Sequence, residues 1–393
     1  MNFLKNFCFK NKTVLIRVDF NVPLNERLEI TDDSRILAAL PTIQNVLASG
    51  AKIVLISHLG RPKGVNKKLS LFPVSKKLEN LLKKPVLFLN DCVGEEIENN
   101  IKNSDYSSVI LLENLRFYDE ETSGDPVFSK KLSRLADVYI NDAFGTSHRA
   151  HASTHGVVEY FNKEKYCGLL LEKEVLSLSK VFHKNRSPSL AVIGGAKISS
   201  KIDAIFSLIN CVDKIIIGGG MAFTFIRALG GAIGTSLFEE DKINSAKEIL
   251  TFAKQKDVSV LLPIDSVNSN CFSNEISSTT NIFKIPKGSM GLDIGPKSIT
   301  LFEKEILLAK NIIWNGPMGV FEFSNFSKGT KLIGEAIAKS TDSGAYSLVG
   351  GGDSITAIKK YNLENRVSYV STGGGAMLEF LEGKELPALK ALL

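Results

Sequence analysis

The short apolar segments of this chain are followed by two chemically different kinds of residue. In the first half they end in arginine, histidine, aspartate and asparagine: Arg17-Val18-Asp19-Phe20-Asn21, Ser57-His58-Leu59-Gly60-Arg61, Glu113-Asn114-Leu115-Arg116 and Asn141 to Arg149. In the second half they end mainly in glycine: Gly194-Gly195-Ala196-Lys197, Gly218-Gly219-Gly220, Asn315-Gly316-Pro317, Gly350-Gly351-Gly352-Asp353 and Gly373-Gly374-Gly375. Ligands bind just beyond the carboxyl ends of strands in open α/β sheets. We therefore expect a basic pocket for a small, highly charged anion, and a glycine-lined surface for a larger phosphorylated ligand.

Several arginines near strand or helix starts support the anion pocket. A single arginine such as Arg35, in an early helical turn, is more often a solvated surface residue. The same kind of placement is shared by Arg17, Arg61, Arg116 and Arg149, which makes chance a poorer explanation. The planar guanidinium group binds phosphate and carboxylate oxygens in pairs. His58 and His148 could add further donors, although a single histidine is usually a structural polar residue.

The stretch Gly194-Gly195-Ala196-Lys197-Ile198-Ser199-Ser200-Lys201 follows a predicted strand and is predicted to open a helix. Lys197 and Lys201 would then share one helical face. Two cations in the first turns oppose the helix dipole, whereas a bound anion would reverse that penalty. Two solvated surface lysines and an anion site are about equally good explanations of this stretch.

Two further sites, each with an aspartate, are open to two interpretations. Asp19 and Asn21 either cap a turn or form a hydrogen-bonding pair for ligand hydroxyl groups. Asp353 is either a helix N-cap or, beside a phosphate-binding glycine turn, a ligand of Mg²⁺. The residues themselves do not decide between these alternatives.

Two common nucleotide-binding motifs are missing from the sequence. In the stretch nearest to a P-loop, Gly291 to Ser298, Pro296 interrupts the pattern, and no G-x-G-x-x-G follows a predicted strand. These observations count against a P-loop NTPase and a standard dinucleotide-binding fold. No serine, histidine and aspartate set or cysteine and histidine pair indicates a covalent nucleophile.

The elements that must position these residues alternate between β-branched apolar runs and amphipathic stretches. The runs are apolar throughout, which is typical of parallel strands covered on both faces. We predict strands at Thr13–Val18, Lys52–Ile56, Val109–Leu112, Val138–Ile140, Leu190–Ile193, Ile215–Ile217, Val258–Leu262, Ile312–Trp314, Tyr346–Val349 and Val367–Val370. The alternation predicts an α/β protein with parallel sheets and helices on both sides.

Length favours two domains, because 393 residues exceed one typical hydrophobic core. The amphipathic stretch Gly168 to Phe182 is predicted to be a long helix joining them, with a polar connection from His183 to Ser189 after it. The polar segment Ser266 to Asn281 is expected to be an excursion on the surface.

Composition places the chain among ordinary soluble proteins, with 44% hydrophobic and 23% charged residues and a net charge of +6. No block of basic residues with interleaved aromatics appears, so we expect no nucleic-acid partner. No apolar run approaches the length of a membrane span, and we do not expect Met1 to Lys10 to act as a signal peptide, because Lys5 and Asn6 interrupt its apolar residues. Five scattered cysteines argue for a reducing compartment, so we expect a cytoplasmic protein.

Taken together, the motifs closely resemble those of the phosphoglycerate kinase family. The first half of the chain contributes Arg17 to Pro23, Ser57 to Pro62, Glu113 to Phe117 and Asn141 to Gly145. The second half contributes Gly194 to Lys197, Gly218 to Phe223, Met290 to Asp293, Trp314 to Pro317, Val320 to Glu322, Gly350 to Asp353 and Ser371 to Ala376. They follow the family's order and span essentially the whole chain, so together they are highly specific.

The resemblance implies reversible phosphoryl transfer between 1,3-bisphosphoglycerate and ADP, giving 3-phosphoglycerate and MgATP. Arg35 and Lys197 would stabilise the transferring group. The triose substrate would contact Asp19, Phe20, Asn21, Arg35, His58, Leu59, Gly60, Arg61, Arg116 and Arg149. The nucleotide would lie on Gly195, Lys201, Gly219, Gly291, Glu322, Gly351, Gly352, Asp353 and Ser354. Glu322 would hydrogen-bond to the ribose hydroxyls, and Asp353 would bind Mg²⁺.

The resemblance also implies two Rossmann-like three-layer αβα domains with a cleft between them. Residues 1–170 would bind the triose and residues 171–372 the nucleotide, with the linker helix at about 168–182. Residues 373–393 would pack back on the N-terminal domain, and the protein would be a monomer that acts on small molecules alone.

Two positions depart from the family's pattern. Ser200 stands where members commonly have aspartate between the two lysines, and Ser354 where they commonly have threonine. The second change keeps the hydroxyl group, whereas the first removes a carboxylate, so we expect reduced or shifted activity rather than its loss.

Two rival functions are weaker. A nicotinamide-dependent dehydrogenase lacks its glycine motif here and would not require Mg²⁺. A non-catalytic anion-binding protein of two domains would usually be exported.

Overall fold

The computed structural model describes residues 2–4, 7–182 and 187–393, so part of the connection predicted at His183 to Ser189 lies outside the described residues. The chain forms two compact units. Unit 1 comprises Met1–Leu176 with Glu385–Leu393, and unit 2 comprises Ser177–Lys384. Both are α/β units built on parallel sheets, as the sequence predicts.

Unit 1 is built on one parallel sheet. Its strands are β1 (Thr13–Val18), β2 (Lys52–Ile56), β3 (Val86–Leu89), β4 (Val109–Leu112), β5 (Val138–Asp142) and β6 (Lys165–Cys167). Their order is β3-β4-β2-β1-β5-β6. Every residue of β2 and β5 is buried, which explains why their apolar residues, Ile53 to Ile56 and Val138 to Ile140, follow one another without alternation. The sequence did not predict β3 and β6: β3 is apolar but has only four residues and is partly exposed, and β6 has three residues and begins with a lysine.

The helices of unit 1 alternate with these strands. They are α1 (Ser34–Ala48), α2 (Phe72–Leu82), α3 (Glu95–Asn103), α4 (Asp119–Ser123), α5 (Pro126–Ser133) and, beginning in this unit, α6 (Leu169–Ser179). In α1, Ile36, Ala39, Ile43 and Val46 recur at helical spacing, and all of them are buried. This periodicity packs α1 against the sheet core and brings its first turn, with Arg35, toward the end of β1.

The segment predicted as a linker helix at Gly168 to Phe182 contains α6, followed by a 3₁₀ turn at Lys180–Phe182. The buried carboxylate of Asp142 accepts hydrogen bonds from the backbone N–H groups of Leu170 and Leu171, at 2.9 and 3.1 Å. These bonds satisfy donors that a helix N-terminus otherwise leaves free. The division between the two units falls within this helix, between Leu176 and Ser177.

Unit 2 repeats the plan of unit 1. Its main sheet contains β7 (Ser189–Ile193), β8 (Lys214–Ile217), β10 (Ser259–Leu261), β15 (Asn311–Asn315), β16 (Tyr346–Gly350) and β17 (Tyr369–Ser371), in the order β10-β8-β7-β15-β16-β17. The pairings are all parallel. Trp314 of β15 is completely buried in the core beside this sheet.

The remaining helices lie between and after these strands. They are α7 (Ile202–Ile209), α8 (Ala222–Ala228), α9 (Ile243–Gln255), α10 (Pro296–Leu308), α11 (Lys328–Asp342), α12 (Gly352–Lys360), α13 (Gly375–Leu381) and α14 (Pro387–Ala391). The C-terminal segment is divided between the units: α13 belongs to unit 2, and α14 to unit 1. In unit 1, Lys165 Nζ donates to the carbonyl of Ala391 at 2.7 Å.

The surface excursion predicted at Ser266 to Asn281 was partly wrong. Unit 2 has a small sheet in which β11 (Asp265–Ser269) lies between β12 (Ser278–Asn281) and β14 (Met290–Ile294) in antiparallel pairings. Ser266, Asn268 and Ser269 are buried; Ser266 Oγ donates to the Asp293 carbonyl and Asn268 Nδ2 to Thr280 Oγ1, whereas Asn268 Oδ1 has no hydrogen-bond partner among the described residues. Two short strands, β9 (Ala232–Ile233) and β13 (Lys284–Ile285), pair in parallel nearby.

The strand orders identify where ligands should bind. In unit 1 the chain leaves β1 toward β2 on one side and later returns to β5 on the other side. In unit 2 the strands β7 and β15 have the same relation. Crevices at such switch points are the usual ligand sites of open α/β sheets. Within the described ranges, no helix is both long and apolar enough to cross a membrane.

Candidate active site

The turn after β1 is held by hydrogen bonds to neighbouring strand ends. The Phe20 N–H donates to Ser57 Oγ at 2.9 Å, and Asn21 Oδ1 accepts from the Gly60 N–H at 2.8 Å. Asp19 Oδ1 accepts from the Asn21 N–H at 3.2 Å, as in a capped turn. The ends of β1 and β2 are therefore fixed together, which places the loop around Gly60 beside residues 19–21.

Asp19 also pairs with the arginine in the first turn of α1. Arg35 Nη1 lies 2.7 Å from Asp19 Oδ2, and Asp19 is much less exposed than Arg35. The pair explains how a cation is tolerated at this helix N-terminus, where positive charge is otherwise unfavourable. It also orients the guanidinium group of Arg35 beside the end of β1.

Three of the predicted arginines line one cavity in unit 1. The cavity has a volume of about 240 Å³ and is lined by Arg61, Pro62, Arg116, Tyr118, Asp119, Thr122 and Arg149. Arg35 and His58 are not among its lining residues. Phe20 and Leu59 have side chains buried in the core of unit 1, so they could reach a ligand only through their backbone.

Arg116 is buried and incompletely satisfied. Its Nη1 donates to the Gly60 carbonyl at 2.7 Å, while its buried Nε has no hydrogen-bond partner. Burial, followed by repulsion from Arg17 and Arg149, lowers the pKa of Arg116 to about 10. An anion in the cavity would supply compensating charge for Arg116.

The histidines of this region are held in their neutral form. Burial lowers the pKa of His58 well below its usual value, and Arg17, Arg116 and Arg35 lower it further. The pKa of His148 is lowered for similar reasons, burial first and then Arg149. His148 Nε2 lies 3.1 Å from Arg149 Nε, so a neutral His148 can accept that hydrogen bond.

In unit 2, Asn315 joins the ends of three strands. Its Nδ2 donates to the Gly350 carbonyl at 2.8 Å, and its backbone carbonyl accepts from the Gly194 N–H at 2.9 Å. The same carbonyl accepts from Lys201 Nζ at 3.0 Å, and Asn315 Oδ1 accepts from Lys201 as well. Asn315 therefore fixes β7, β15 and β16 together at the switch point and orients Lys201.

Two glycines in the turns at these strand ends leave no room for a side chain. Gly219 has φ +66°, and a Cβ atom there would lie 2.6 Å from the backbone N and O of Gly195. Gly351 has φ +96°, and its Cβ would lie 2.8 Å from Asn315 Nδ2. Both positions combine a left-handed backbone with close approach, which only glycine allows without strain.

The prediction that Lys197 and Lys201 share a helical face was wrong. Helix α7 begins only at Ile202, and Lys201 is its N-cap residue. The preceding residues form a loop because Ser199, through its N–H and its hydroxyl, donates to both carboxylate oxygens of Glu239 at 3.0 and 2.6 Å. Ser200 Oγ donates to the Lys197 carbonyl at 3.2 Å.

The two lysines differ in their surroundings. Lys197 is exposed. Burial lowers the pKa of Lys201 to about 8, opposed by the charge of Asp353. A lysine with this pKa is only partly protonated in the free protein above neutral pH, and a bound polyanion would favour its charged form.

The glycine turn after β16 opens helix α12. Gly351, not Asp353, is the N-cap residue, and Asp353 lies exposed in the first turn. Ser354 is buried, and its Oγ accepts from the Gly316 N–H at 2.6 Å. The hydroxyl group of Ser354 therefore has a structural role, which a threonine at this place could also perform.

The two other predicted nucleotide residues lie further along unit 2. A Cβ atom on Gly291 would lie 2.3 Å from the Phe223 ring, and the Gly291 N–H donates to Ser236 Oγ at 2.9 Å. Glu322 is exposed beside the buried Phe321.

Sequence reasoning missed three residues that organise these sites. Asn315 was noted only as part of a motif, although an amide directly after a buried strand could have indicated its bridging role. In unit 1, Glu121 accepts a hydrogen bond from Ser153, which accepts one from Arg17. Neither residue carries a signal of this role, since Glu121 stands in an acidic run that is typical of a solvated surface.

Comparison with known proteins gives a consistent result. A family model described as "Phosphoglycerate kinase" matches residues 4–384. The phosphoglycerate kinase of Dictyoglomus turgidum is 53% identical over 390 residues, covering 99% of this chain and 97% of the relative. The cytosolic phosphoglycerate kinase 3 of Arabidopsis thaliana is 49% identical, covering 99% and 97%. The solved structure of phosphoglycerate kinase from Coxiella burnetii has a TM-score of 0.89 at 41% identity, covering 99% of this chain and 98% of that one.

Proposed function

The chain belongs to the phosphoglycerate kinase family and transfers a phosphoryl group between 1,3-bisphosphoglycerate and ADP, and we propose that its two units divide the substrates between them. The reaction belongs to glycolysis, and its acceptor in the ATP-consuming direction is the carboxyl group of 3-phosphoglycerate. The observation that carries the proposed division is the cavity in unit 1 lined by Arg61, Arg116 and Arg149.

The triose substrate binds at the carboxyl end of the unit 1 sheet. Three guanidinium groups around one cavity provide paired donors for a phosphate or carboxylate. Arg35, oriented by Asp19, and His58 supply further donors, and Asn21 and Gly60 fix the loop that carries them. A bound anion would also offset the burial of Arg116 and its repulsion from Arg17 and Arg149, which lower the pKa of Arg116.

The adenine nucleotide binds at the carboxyl end of the unit 2 sheet. Gly195, Gly219, Gly351 and Gly352 provide backbone that phosphates can approach closely, and helix α12 begins there. Lys201 adds a positive charge, since a bound nucleotide would favour the protonated form of this lysine. In this proposal Gly291 lines the nucleotide surface, and the exposed carboxylate of Glu322 accepts hydrogen bonds from the ribose hydroxyls.

Mg²⁺ fits this site as part of the nucleotide complex. Within the described residues, no group of three or more acidic, histidine or cysteine side chains could hold a metal on its own. Magnesium is commonly held by one or two carboxylates together with substrate phosphates, and Asp353 offers one exposed carboxylate beside the glycine turn. When bound, the ion would neutralise charge on the phosphates.

The chemistry needs positioning and charge rather than a base. A substrate carboxylate has an ordinary pKa near ~4 and is already a nucleophile at neutral pH. We therefore propose direct in-line transfer without a covalent enzyme intermediate, with Lys197 and Arg35 stabilising the charge on the transferring group. Because the two substrates bind to different units, transfer also requires hinge closure about residues 168–182.

Helix α6 occupies most of that segment. Small-angle scattering should register a smaller radius of gyration when both substrates are present. A ternary complex that turns over without compaction would remove the hinge from the proposal.

The proposal also covers the cellular location and the oligomeric state of the protein. We propose a monomer in the cytoplasm that acts on small molecules and requires neither nucleic acid nor membrane.

A coupled assay tests the proposal. Purified protein is given 1,3-bisphosphoglycerate and ADP, and ATP formation is followed with Mg²⁺ and again with excess chelator. We expect ATP formation that depends on the metal. Its rate should fall about tenfold or more in Arg116→Met, since a charged hydrogen bond is removed. When NADH is also supplied, its oxidation without ATP formation would indicate a dehydrogenase, and neither reaction would indicate an anion-binding protein.

A further inference from the structure

A buried polar network lies beneath the arginine-lined cavity of unit 1. Arg17, Glu121 and Ser153 are each 0% exposed, although two of them carry formal charge. Glu121 belongs to the short helix α4, whose neighbouring residues Asp119 and Thr122 line the cavity. Charged side chains are rarely buried so completely unless they are paired, so this network needs an explanation that the general fold does not supply.

The network is a continuous chain of hydrogen bonds. Glu121 Oε1 accepts from Ser153 Oγ at 2.6 Å, and Glu121 Oε2 accepts from the Ser153 N–H at 2.9 Å. Ser153 Oγ accepts in turn from Arg17 Nε at 2.8 Å. Arg17 donates through Nη1 to the Val18 carbonyl and lies, through Nη2, 3.2 Å from His58 Nδ1.

The last contact fixes the tautomer of His58. The guanidinium group of arginine only donates hydrogen bonds and stays protonated in proteins. His58 Nδ1 must therefore accept, so the proton of the neutral ring is on Nε2. Burial and the surrounding arginines, which lower the pKa of His58, keep the ring in this neutral form. Nε2–H is then the donor that His58 can offer a ligand.

The same network balances the charge of the arginines. Burial raises the pKa of Glu121, whereas Arg17 and the two hydrogen bonds from Ser153 lower it. A buried arginine without a nearby carboxylate would be an uncompensated charge, which proteins seldom tolerate. His151 packs against the carboxylate at 3.8 Å, and its own buried Nδ1 has no hydrogen-bond partner. His151 is too far from the Glu121 carboxylate, and carries too little positive charge, to replace Arg17.

We propose that Glu121 and Ser153 are positioning residues for the triose site, which hold Arg17 so that His58 presents Nε2–H to the substrate. Neither residue lies among the groups expected to touch the substrate, so both act through Arg17 and His58. This inference rests on the proposed function, because it assumes that His58 contacts the triose. It adds a specific role for an acidic residue in an otherwise basic site.

The test combines a spectroscopic signature with steady-state kinetics. Nitrogen-15 NMR of the ligand-free enzyme reports the tautomer of His58, whose signals are assigned by their loss in His58→Gln. We expect Nδ1 to be unprotonated and Nε2 protonated in the wild type, and both shifts to move toward a mixture of tautomers in Glu121→Gln. Glu120→Gln alters an exposed neighbour and should leave the spectrum unchanged.

The kinetics separate positioning from general damage. Glu121→Gln should raise KM for 3-phosphoglycerate roughly tenfold, as expected when one charged hydrogen bond is weakened. Its kcat and its KM for MgATP should change much less. Ser153→Ala keeps the carboxylate and the hydrogen bond from the backbone of residue 153. If Glu121→Gln does not fold, Ser153→Ala is used for the same NMR and kinetic measurements.

Two results would overturn the inference: a His58 that stays purely Nε2–H in the folded variants, or an equal rise of KM for both substrates. Failure of the proposed function is distinguishable, because it would appear as absence of ATP formation in the wild type, whereas the NMR readout needs no substrate.

Discussion

The low pKa of Lys201 predicts a specific pH dependence of nucleotide use. Burial lowers this pKa to about 8 from the ordinary 10.5, although Asp353 opposes the shift and both oxygen acceptors of Asn315 bind the ammonium group. In the proposed site the protonated lysine binds phosphate and the neutral lysine does not. Raising the pH therefore removes the binding form of the free enzyme, and binding should weaken on the alkaline side.

The size of the effect follows from the position of the pKa. The ratio kcat/KM reports ionisations of the free enzyme. For ATP it should fall above about pH 8 and be roughly tenfold below its plateau at about pH 9, since one unit beyond a pKa leaves about a tenth of the group protonated. The same ratio for 3-phosphoglycerate at saturating ATP should show a weaker decline, because bound phosphates favour the protonated lysine.

The assay is a series of initial rates from about pH 6 to pH 9.5 at constant ionic strength, since surface charges are screened by salt. Lys201→Arg keeps the positive charge beyond this range and should remove the decline. Lys197→Arg makes the same change at the exposed lysine and should keep it. A wild-type profile for ATP that is flat to about pH 9.5, or an unchanged decline in Lys201→Arg, would refute the role of Lys201.

Three further changes should have distinct effects. Lys197→Ala should lower kcat by ~10²–10³ with both substrates saturating, and a loss below about tenfold would exclude its role in charge stabilisation. Gly219→Ala should destabilise unit 2 in urea unfolding by about 2 kcal/mol or more, whereas Gly352→Ala, whose Cβ meets nothing within 4 Å, should have little effect; equal losses would contradict this. Burial raises the pKa of Asp142 to about 6 from the ordinary 3.8, so its contribution to stability is lost as pH rises through about 6. Asp142→Asn should therefore gain up to about 3 kcal/mol relative to wild type between about pH 4 and pH 8, and melting curves that stay parallel across this range would disprove it.

The strand ends could be predicted from the sequence because their chemistry is local. Buried parallel strands are apolar throughout, so their limits stand out, and polar or glycine residues directly after them fall at the sheet edge where ligands bind. The structure gathers three of these residues, Arg61, Arg116 and Arg149, around one cavity, and their binding role stays a prediction. The glycine turns were predictable for the same reason, since their spacing follows the strands.

The rest depends on contacts between residues that are distant in sequence. The loop from Lys197 to Lys201 is held open by Glu239, and nothing near that loop reveals the partner. Glu121 looks like one of several solvated acids until Ser153 and Arg17 enclose it. In β11 the polar residues Ser266 and Asn268 are buried, where neighbouring strands satisfy the Ser266 hydroxyl and the Asn268 amide nitrogen, whereas a composition-based prediction assigns such residues to the surface.

The central claim is that unit 1 binds the triose and unit 2 binds the nucleotide. Isothermal titration of 3-phosphoglycerate and of MgATP into Arg116→Met and Lys201→Met tests it most directly. We predict that Arg116→Met weakens binding of 3-phosphoglycerate roughly tenfold or more and leaves MgATP unchanged, and that Lys201→Met does the reverse. If either substitution weakened both ligands equally, or the ligand assigned to the other unit, the division of substrates would be contradicted.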